Sequence, residues 1–172
     1  IEFLILKNLL HNEKYLRKTI PFIKGEYFQD SNQKMVFEEI SSFVDQYNEL
    51  PTKEILTIEV EKRNDINEDS FKEVTHLIGC LDDSPVEFEW LSDTTEKWCR
   101  DRAIYLALLD SIAIADGKDE KKNPEAIPSI LSDALAVSFD NNVGHDYLQD
   151  YEERFKFYHQ KESRIQFDLE YF

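Results

Sequence analysis

One stretch of about 30 residues, from Val86 to about Ala115, contains neither proline nor glycine and follows a helix-start signal at Ser84-Pro85. A helix of that length rises about 45 Å at 1.5 Å per residue, which exceeds the width of a small helical domain. The sequence therefore predicts a helix that extends beyond the rest of its domain. Its recurring apolar positions are Phe88, Leu91, Trp98, Ile104, Leu108, Ile112 and Ala115.

A second helix is predicted after the polar turn DGKDEKKNP, from Glu125 to about Phe139. Because the turn is short, we expect the two helices to form an antiparallel hairpin. A two-helix arm cannot bury both of its apolar faces internally, so we expect the hairpin to associate with a second copy. The residues predicted for this self-association are Leu106, Leu109, Ile112, Ile130, Leu131 and Leu135.

Short amphipathic helices precede the hairpin. Four glycines and five prolines are few for a sandwich or barrel, so the chain is predicted to be all-α. Capping residues and apolar stripes indicate several helices within residues 1–83, among them one starting at Asp30 or Ser31 and one starting at Asn67. We therefore expect a compact head of short helices in 1–83 and a long hairpin in 84–140.

The last residues predict a helix that needs a partner. In 141–163, aromatic and apolar side chains recur at helical spacing. Residues 164–172 alternate as a strand does, and because a single strand needs partner strands, we expect them to belong to another structural unit. The helix could pack on its own hairpin, or on another chain or domain. Its predicted contact residues are Tyr147, Leu148, Tyr151, Phe155 and Tyr158.

Charge and composition exclude several classes of protein. The net charge of −16 opposes nonspecific phosphate binding, and two cysteines make no disulfide framework, which favours a reducing compartment. We see no signal peptide and no apolar run long enough to cross a membrane, and both ends resemble limits of a fragment. A mildly basic stretch near the start is expected to be a solvated helix face. It contains Lys7, Lys14, Arg17, Lys18 and Lys24.

No catalytic, cofactor-binding or metal-binding residue is predicted. The only Gly-Lys pair, at Gly117, has Ile112 and Asp119 where a phosphate loop needs glycine and Ser or Thr. Glu73 and His76 form one E-x-x-H, whereas a dimetal bundle needs two, so a helical metal enzyme is a remote alternative. Two tryptophans, Trp90 and Trp98, could stack bases but are more often hairpin core. His145 and Asp146 indicate a helix cap rather than catalysis.

The stretch GEYFQDSNQKMVFEEISSFVDQYNELPTKEILTIEV, residues 25–60, resembles the head of the DnaB-like replicative helicases. That family has an acidic and aromatic entry, an apolar helix, a gap, and then a proline followed by a helix. Glu49-Leu50 stands where the family usually has a glycine before the proline. The matching positions are Tyr27, Phe28, Val36, Phe37, Ile40, Pro51 and Ile55.

The second half resembles, more narrowly, the helicases of T-even-type bacteriophages, which work with a separate primase. The segments DSPVEFEWLSDTTEKWCRDRAI, AIPSILSDALAVSFDNNVGHDYLQDYEERFKFYHQK and FDLEYF carry this likeness, which extends over essentially the whole chain. The resemblance implies that the chain is only an N-terminal tier and that residues 164–172 are the start of a following domain. That domain would be a RecA-like ATPase, with its Walker motif after Phe172. The missing phosphate loop would then belong to that following domain.

The resemblance also implies partners and a location. The full-length parent would form six subunits around single-stranded DNA, with a collar of paired hairpins, and would unwind 5′ to 3′ using ATP and Mg. A phage primase and a helicase loader would dock on it in the cytoplasm of an infected bacterium. The helix in 141–163 would be the linker helix that packs on a neighbouring subunit. A rival hypothesis is a stand-alone helical adaptor or inhibitor that mimics a helicase head.

Overall fold

The computed structural model describes residues 1–63, 65–118 and 123–139, and residues 1–139 form one compact unit. Within those ranges every regular element is helical, which confirms the all-α prediction. The predictions for 141–163 and 164–172, including Tyr147, Leu148, Tyr151, Phe155 and Tyr158, lie outside the described residues. The α-helices are α1 (Glu2–His11), α2 (Glu13–Thr19), α3 (Ser31–Tyr47), α4 (Lys53–Glu61), α5 (Glu68–Cys80), α6 (Phe88–Ala115) and α7 (Ile127–Leu135), with short 3-10 turns at Gly25–Tyr27 and Pro124–Ala126.

Side-chain caps set the starts of most of these helices. Asp30 accepts hydrogen bonds from the backbone N–H groups of Asn32 and Gln33, which confirms the predicted start of α3. Such caps satisfy amide donors that the first helical turn leaves without partners. Asn12, Thr52, Asn67 and Glu87 cap α2, α4, α5 and α6 in the same way.

The core of the head is built around α3, which packs against α1, α4 and α5. Val36, Phe37 and Ile40 of α3 are buried there, and they meet buried leucine and isoleucine side chains from the other helices. Burying each such side chain contributes about 1.5 to 3 kcal/mol before ordering costs. Packing of this kind therefore holds together helices of 7 to 17 residues that would be marginal alone.

The first half of α6 completes the same core. Leu91, Trp98 and Cys99 are buried in it, and α6 packs against both α2 and the 3-10 turn at Gly25–Tyr27. The Trp98 ring meets Tyr27 edge-on at 6.0 Å and Phe28 at 5.2 Å. The expectation that both tryptophans lie in the hairpin core is therefore wrong, because Trp98 is buried in the head and Trp90 is 54% exposed. The head and the hairpin thus share one continuous helix and one core.

A directed chain of hydrogen bonds locks α2 to α6. The Thr95 hydroxyl donates to the carbonyl oxygen of Leu91 at 2.7 Å, so its oxygen is free to accept the proton of the Tyr15 hydroxyl, 2.6 Å away. Both Tyr15 and Thr95 are fully buried. Burial raises the pKa of Tyr15 far above its usual range, which keeps the hydroxyl neutral and able to donate.

The hairpin is antiparallel but unequal, because α6 has 28 residues and α7 has nine. The expected second helix to about Phe139 is wrong in its end point, since α7 ends at Leu135. Three contacts hold the residues after it in a non-helical path. Arg100 donates to the Val137 carbonyl at 3.0 Å, Ser138 lies 3.1 Å from Glu96, and Phe139 stacks on Phe22 at 4.8 Å.

A nearly buried lysine fixes the connection between α5 and α6. Lys7 of α1 forms an ion pair with Asp82 at 2.7 Å and a hydrogen bond with Ser84, while His11 lies 3.1 Å from the Leu81 carbonyl oxygen. The Lys7 ammonium and the Ser84 hydroxyl lower the pKa of Asp82 below its usual 3.8. These bonds hold the connection before α6 against α1.

We predict that Thr95→Val destabilises the chain more than Tyr15→Phe. The valine leaves a buried tyrosine hydroxyl without its acceptor and should cost about 1 to 3 kcal/mol, whereas the phenylalanine leaves Thr95 bonded to Leu91 and should cost about 0.5 to 1.5 kcal/mol. The double variant should lose less than the sum of the two single losses. Urea unfolding of all three measures this, and a larger loss for Tyr15→Phe would contradict the direction of the bonds.

We also predict that Asp82→Asn reduces the loss of stability in acid. Because the folded pKa of Asp82 is depressed, its contribution is present above pH 3.8 and is lost as pH falls through the folded value. The free energy of unfolding of the native chain should therefore fall more steeply below pH 3.8 than that of the variant. Urea titrations at several pH values measure the two slopes, and identical slopes would show that the ion pair contributes nothing.

Candidate protein interface

The second half of α6 has apolar side chains on two opposite sides. One side is buried against α7 and contains Ala103, Ala107 and Ile114. The other side carries four large apolar residues at the spacing i, i+3, i+4 and i+7, which places them in one row on a helix. We call this row the α6 stripe, and it consists of Tyr105, Leu108, Leu109 and Ile112, which are 47% to 56% exposed.

Arg102 marks the end of the α6 stripe nearest the head. Its Nε donates to the Tyr27 carbonyl oxygen at 2.7 Å, and its guanidinium lies 5.0 Å from the centre of the Tyr105 ring. The first contact fixes the arginine to the head, and the second orients the tyrosine through a cation–π interaction. Ordered tyrosine and arginine side chains are common at the energetic centres of protein interfaces. This end of the stripe is therefore the best organised part of the surface.

The six residues predicted for self-association fall into two environments. Leu109, Ile112 and Leu135 are 48% to 63% exposed and available to a partner. The other three are half-buried and pack against the core, so much of their surface is already covered within the chain: Leu106, Ile130 and Leu131. The predicted set thus mixes residues from the covered and the exposed faces of the arm, and self-association itself stays a prediction.

Sequence reasoning missed Tyr105 and Leu108 as candidates for the interface. Their spacing to Leu109 and Ile112 was a usable signal, because it places all four on one face of a helix. The difficulty is that α6 is apolar on both faces, so periodicity alone does not say which face α7 covers. The covered face is set by the packing of α7 on α6, which buries Ala134 of α7.

The basic stretch of the head is already partnered. Lys14 Nζ lies 4.0 Å and Lys18 Nζ 5.4 Å from the centre of the Phe88 ring, and Arg17 pairs with Glu13 at 2.8 Å. The Glu13 carboxylate and the Phe88 ring therefore interact with part of the positive charge of this stretch. Lys14, Arg17 and Lys18 thus fit a solvated helix face better than a phosphate-binding surface, whereas the expectation is wrong for Lys7, which is nearly buried against Asp82 and Ser84.

The other side chains considered for chemistry have structural surroundings. Burial raises the pKa of the Cys99 thiol to about 12, so it stays protonated and serves as packing. Glu73 accepts a hydrogen bond from Asn32 at 2.9 Å, and His76 lies 3.8 Å from Cys80. Across 1–63, 65–118 and 123–139, no three acidic, histidine or cysteine side chains cluster as metal ligands, and no helix is long and apolar enough to cross a bilayer.

Comparison with known proteins supports the resemblance found in the sequence. No family model matches the chain. The chain is 35% identical over 174 residues to the DnaB-like replicative helicase of Enterobacteria phage T4. That match covers 96% of this chain and 36% of the phage protein, so the chain spans about a third of the length of this relative. The predicted likeness to the DnaB-like replicative helicases is thereby confirmed.

If the α6 stripe is an external surface, its residues should contribute little to folding. We predict that Leu109→Ser with Ile112→Ser costs less than about 1 kcal/mol per site, because each side chain is already half in water. The fully buried Leu91→Ala should cost about 2 to 5 kcal/mol. Thermal unfolding of the two variants measures the contrast, and a double variant as unstable as Leu91→Ala would show that the stripe is packed within its own chain.

Proposed function

We propose that this chain is the N-terminal assembly domain of a replicative DNA helicase, and that the α6 stripe is where two copies pair. The similarity to a phage DnaB-like replicative helicase supports a helicase-related role. The observation that carries the pairing is the row of four half-exposed apolar side chains on α6. Exposed apolar patches on soluble proteins mark interaction surfaces, and a row along one helix suits a twofold pairing with its own copy.

The size of the α6 stripe sets the expected strength of the pairing. Four half-exposed side chains supply on the order of 350 Å² per partner, well below the roughly 800 Å² of a typical stable interface. One such contact should be weak, and a ring that repeats it with other contacts would gain strength by effective concentration. A collar domain that pairs in this way would need its parent assembly for stable oligomers.

The remaining parts of the proposal follow from the likeness to the helicases. The parent would be a hexamer that unwinds DNA 5′ to 3′ with ATP and Mg, and this chain would couple it to a phage primase and a helicase loader in an infected bacterium. Single-stranded DNA would pass through the parent ring and bind this acidic domain weakly. The segment 141–163 would act as the linker helix, with Tyr147, Leu148, Tyr151, Phe155 and Tyr158 docked on a neighbouring subunit.

We predict concentration-dependent self-association that depends on the α6 stripe. In sedimentation velocity from about 5 to 200 μM, a range suited to a weak contact, the native chain should form dimers or larger species. The variant with Leu109→Ser and Ile112→Ser should remain monomeric. The substitutions remove the apolar area that pairing would bury, and the serine hydroxyls stay hydrated.

Trp90→Ser is the matched control for this experiment. Trp90 lies on the same helix, is 54% exposed and is outside the stripe, so its loss should leave association unchanged. Equal losses in both variants, or a native chain that is monomeric at every concentration, would contradict pairing through the stripe.

A further inference from the structure

A half-buried arginine connects the head to the α6 stripe. Arg102 Nε donates to the Tyr27 carbonyl oxygen at 2.7 Å, and its guanidinium lies 5.0 Å from the centre of the Tyr105 ring. Tyr27 is itself held in the core, since it is 2% exposed and its ring meets Trp98 edge-on. A planar guanidinium bonded to the core at one nitrogen offers a fixed face to a neighbouring ring. The head therefore sets the position of Arg102, although its second contact is with the stripe.

An exposed tyrosine in the stripe would otherwise be free to change rotamer. Tyr105 is 51% exposed, and a side chain on a helix surface can adopt more than one rotamer. Helical side chains lean towards the N-terminus, over the residues three and four positions earlier, and Arg102 is three positions before Tyr105. The cation–π contact favours the rotamer in which the ring lies on Arg102. The ring is thereby ordered in the unpaired chain, while half of its surface stays exposed.

We propose that Arg102 is a positioning residue for the pairing of two copies, and that it acts through Tyr105. The inference rests on the proposed pairing through the α6 stripe and adds the group that prepares this surface. Every mobile side chain that binding immobilises reduces the affinity. A ring that Arg102 has already ordered avoids that cost. Loss of the guanidinium should therefore weaken pairing, although no apolar area leaves the stripe.

Arg100 provides a matched control on the same helix. It is also half-buried, and its Nε also donates to a backbone carbonyl oxygen, that of Val137, at 3.0 Å. Its guanidinium pairs with Glu96 at 2.7 Å, outside the stripe. Arg102→Gln and Arg100→Gln remove the same charge, and each glutamine keeps an amide that can donate a hydrogen bond. Only the first substitution removes the cation beside the Tyr105 ring.

The experiment is sedimentation equilibrium of the full 172-residue chain from about 5 μM to about 1 mM, a range suited to weak association. Arg102→Gln should raise the dissociation constant of the pair roughly threefold to tenfold, and Arg100→Gln should change it by no more than about twofold. Circular dichroism and urea unfolding should show that both variants are folded.

A double-mutant cycle shows whether Arg102 acts through the ring. Tyr105→Phe keeps the ring and should keep the native affinity. Tyr105→Leu keeps an apolar side chain without a ring, and it should weaken pairing about as much as Arg102→Gln. In the Tyr105→Leu chain, Arg102→Gln should cause no further loss. Since both tyrosine variants leave Arg102 in place, they test the proposal even where Arg102→Gln does not fold.

Four results would overturn the positioning role while pairing through the stripe stands. Equal losses for Arg102→Gln in the native and Tyr105→Leu chains would show that Arg102 does not act through the ring. Equal losses for Arg102→Gln and Arg100→Gln would show a general effect of charge. Unchanged affinity in Arg102→Gln would show that the ring needs no support, and a loss in Tyr105→Phe equal to that in Tyr105→Leu would assign the effect to the hydroxyl. A native chain that is monomeric at every concentration would instead contradict the proposed pairing, and this inference with it.

Discussion

The packing of α6 against the head is the interaction on which the rest of the structure depends. The buried Tyr15 hydroxyl donates to Thr95, whose own proton goes back to Leu91 on the same helix. A buried polar pair is favourable only when every donor and acceptor has a hydrogen-bond partner. Sliding α2 along α6 would break these bonds, so the pair restricts how the two helices can pack. Trp98, held by Tyr27 and Phe28, fixes the rotation of the helix at the same level. The Tyr15–Thr95 hydrogen bond and the Trp98 ring contacts together determine which side of the second half of α6 faces α7.

The rotation of α6 about its axis also determines which of its faces are covered and which are exposed beyond the head. Because α6 is continuous from Phe88 to Ala115, turning its first half about the axis would turn its second half equally. The present rotation places Ala103 and Ala107 against α7 and leaves Tyr105 and Leu109 outside. Arg102 joins the two regions by holding both the Tyr27 carbonyl oxygen and the Tyr105 ring. Core packing in the head thus determines which apolar side chains of α6 remain exposed some turns away.

The sequence by itself determined the helical class, most helix starts and the length of α6. Those features are local, since a cap such as Asp30 acts on the next residues of its own chain and a run without proline or glycine propagates one helix. The likeness to a helicase head, too, was visible in the residues around Phe28 and Phe37 before any fold was known.

Only the tertiary structure decided which apolar residues are surface. The sequence grouped Leu106 with Leu109, although α7 half-covers the first and leaves the second in water. It also extended α7 to Phe139, because nothing local reveals that Arg100 binds the Val137 carbonyl or that Phe139 stacks on Phe22. Both outcomes depend on contacts between residues distant in sequence. Periodicity reports that a helix has an apolar face, but the covering of that face is set by the rotation and length of its neighbour.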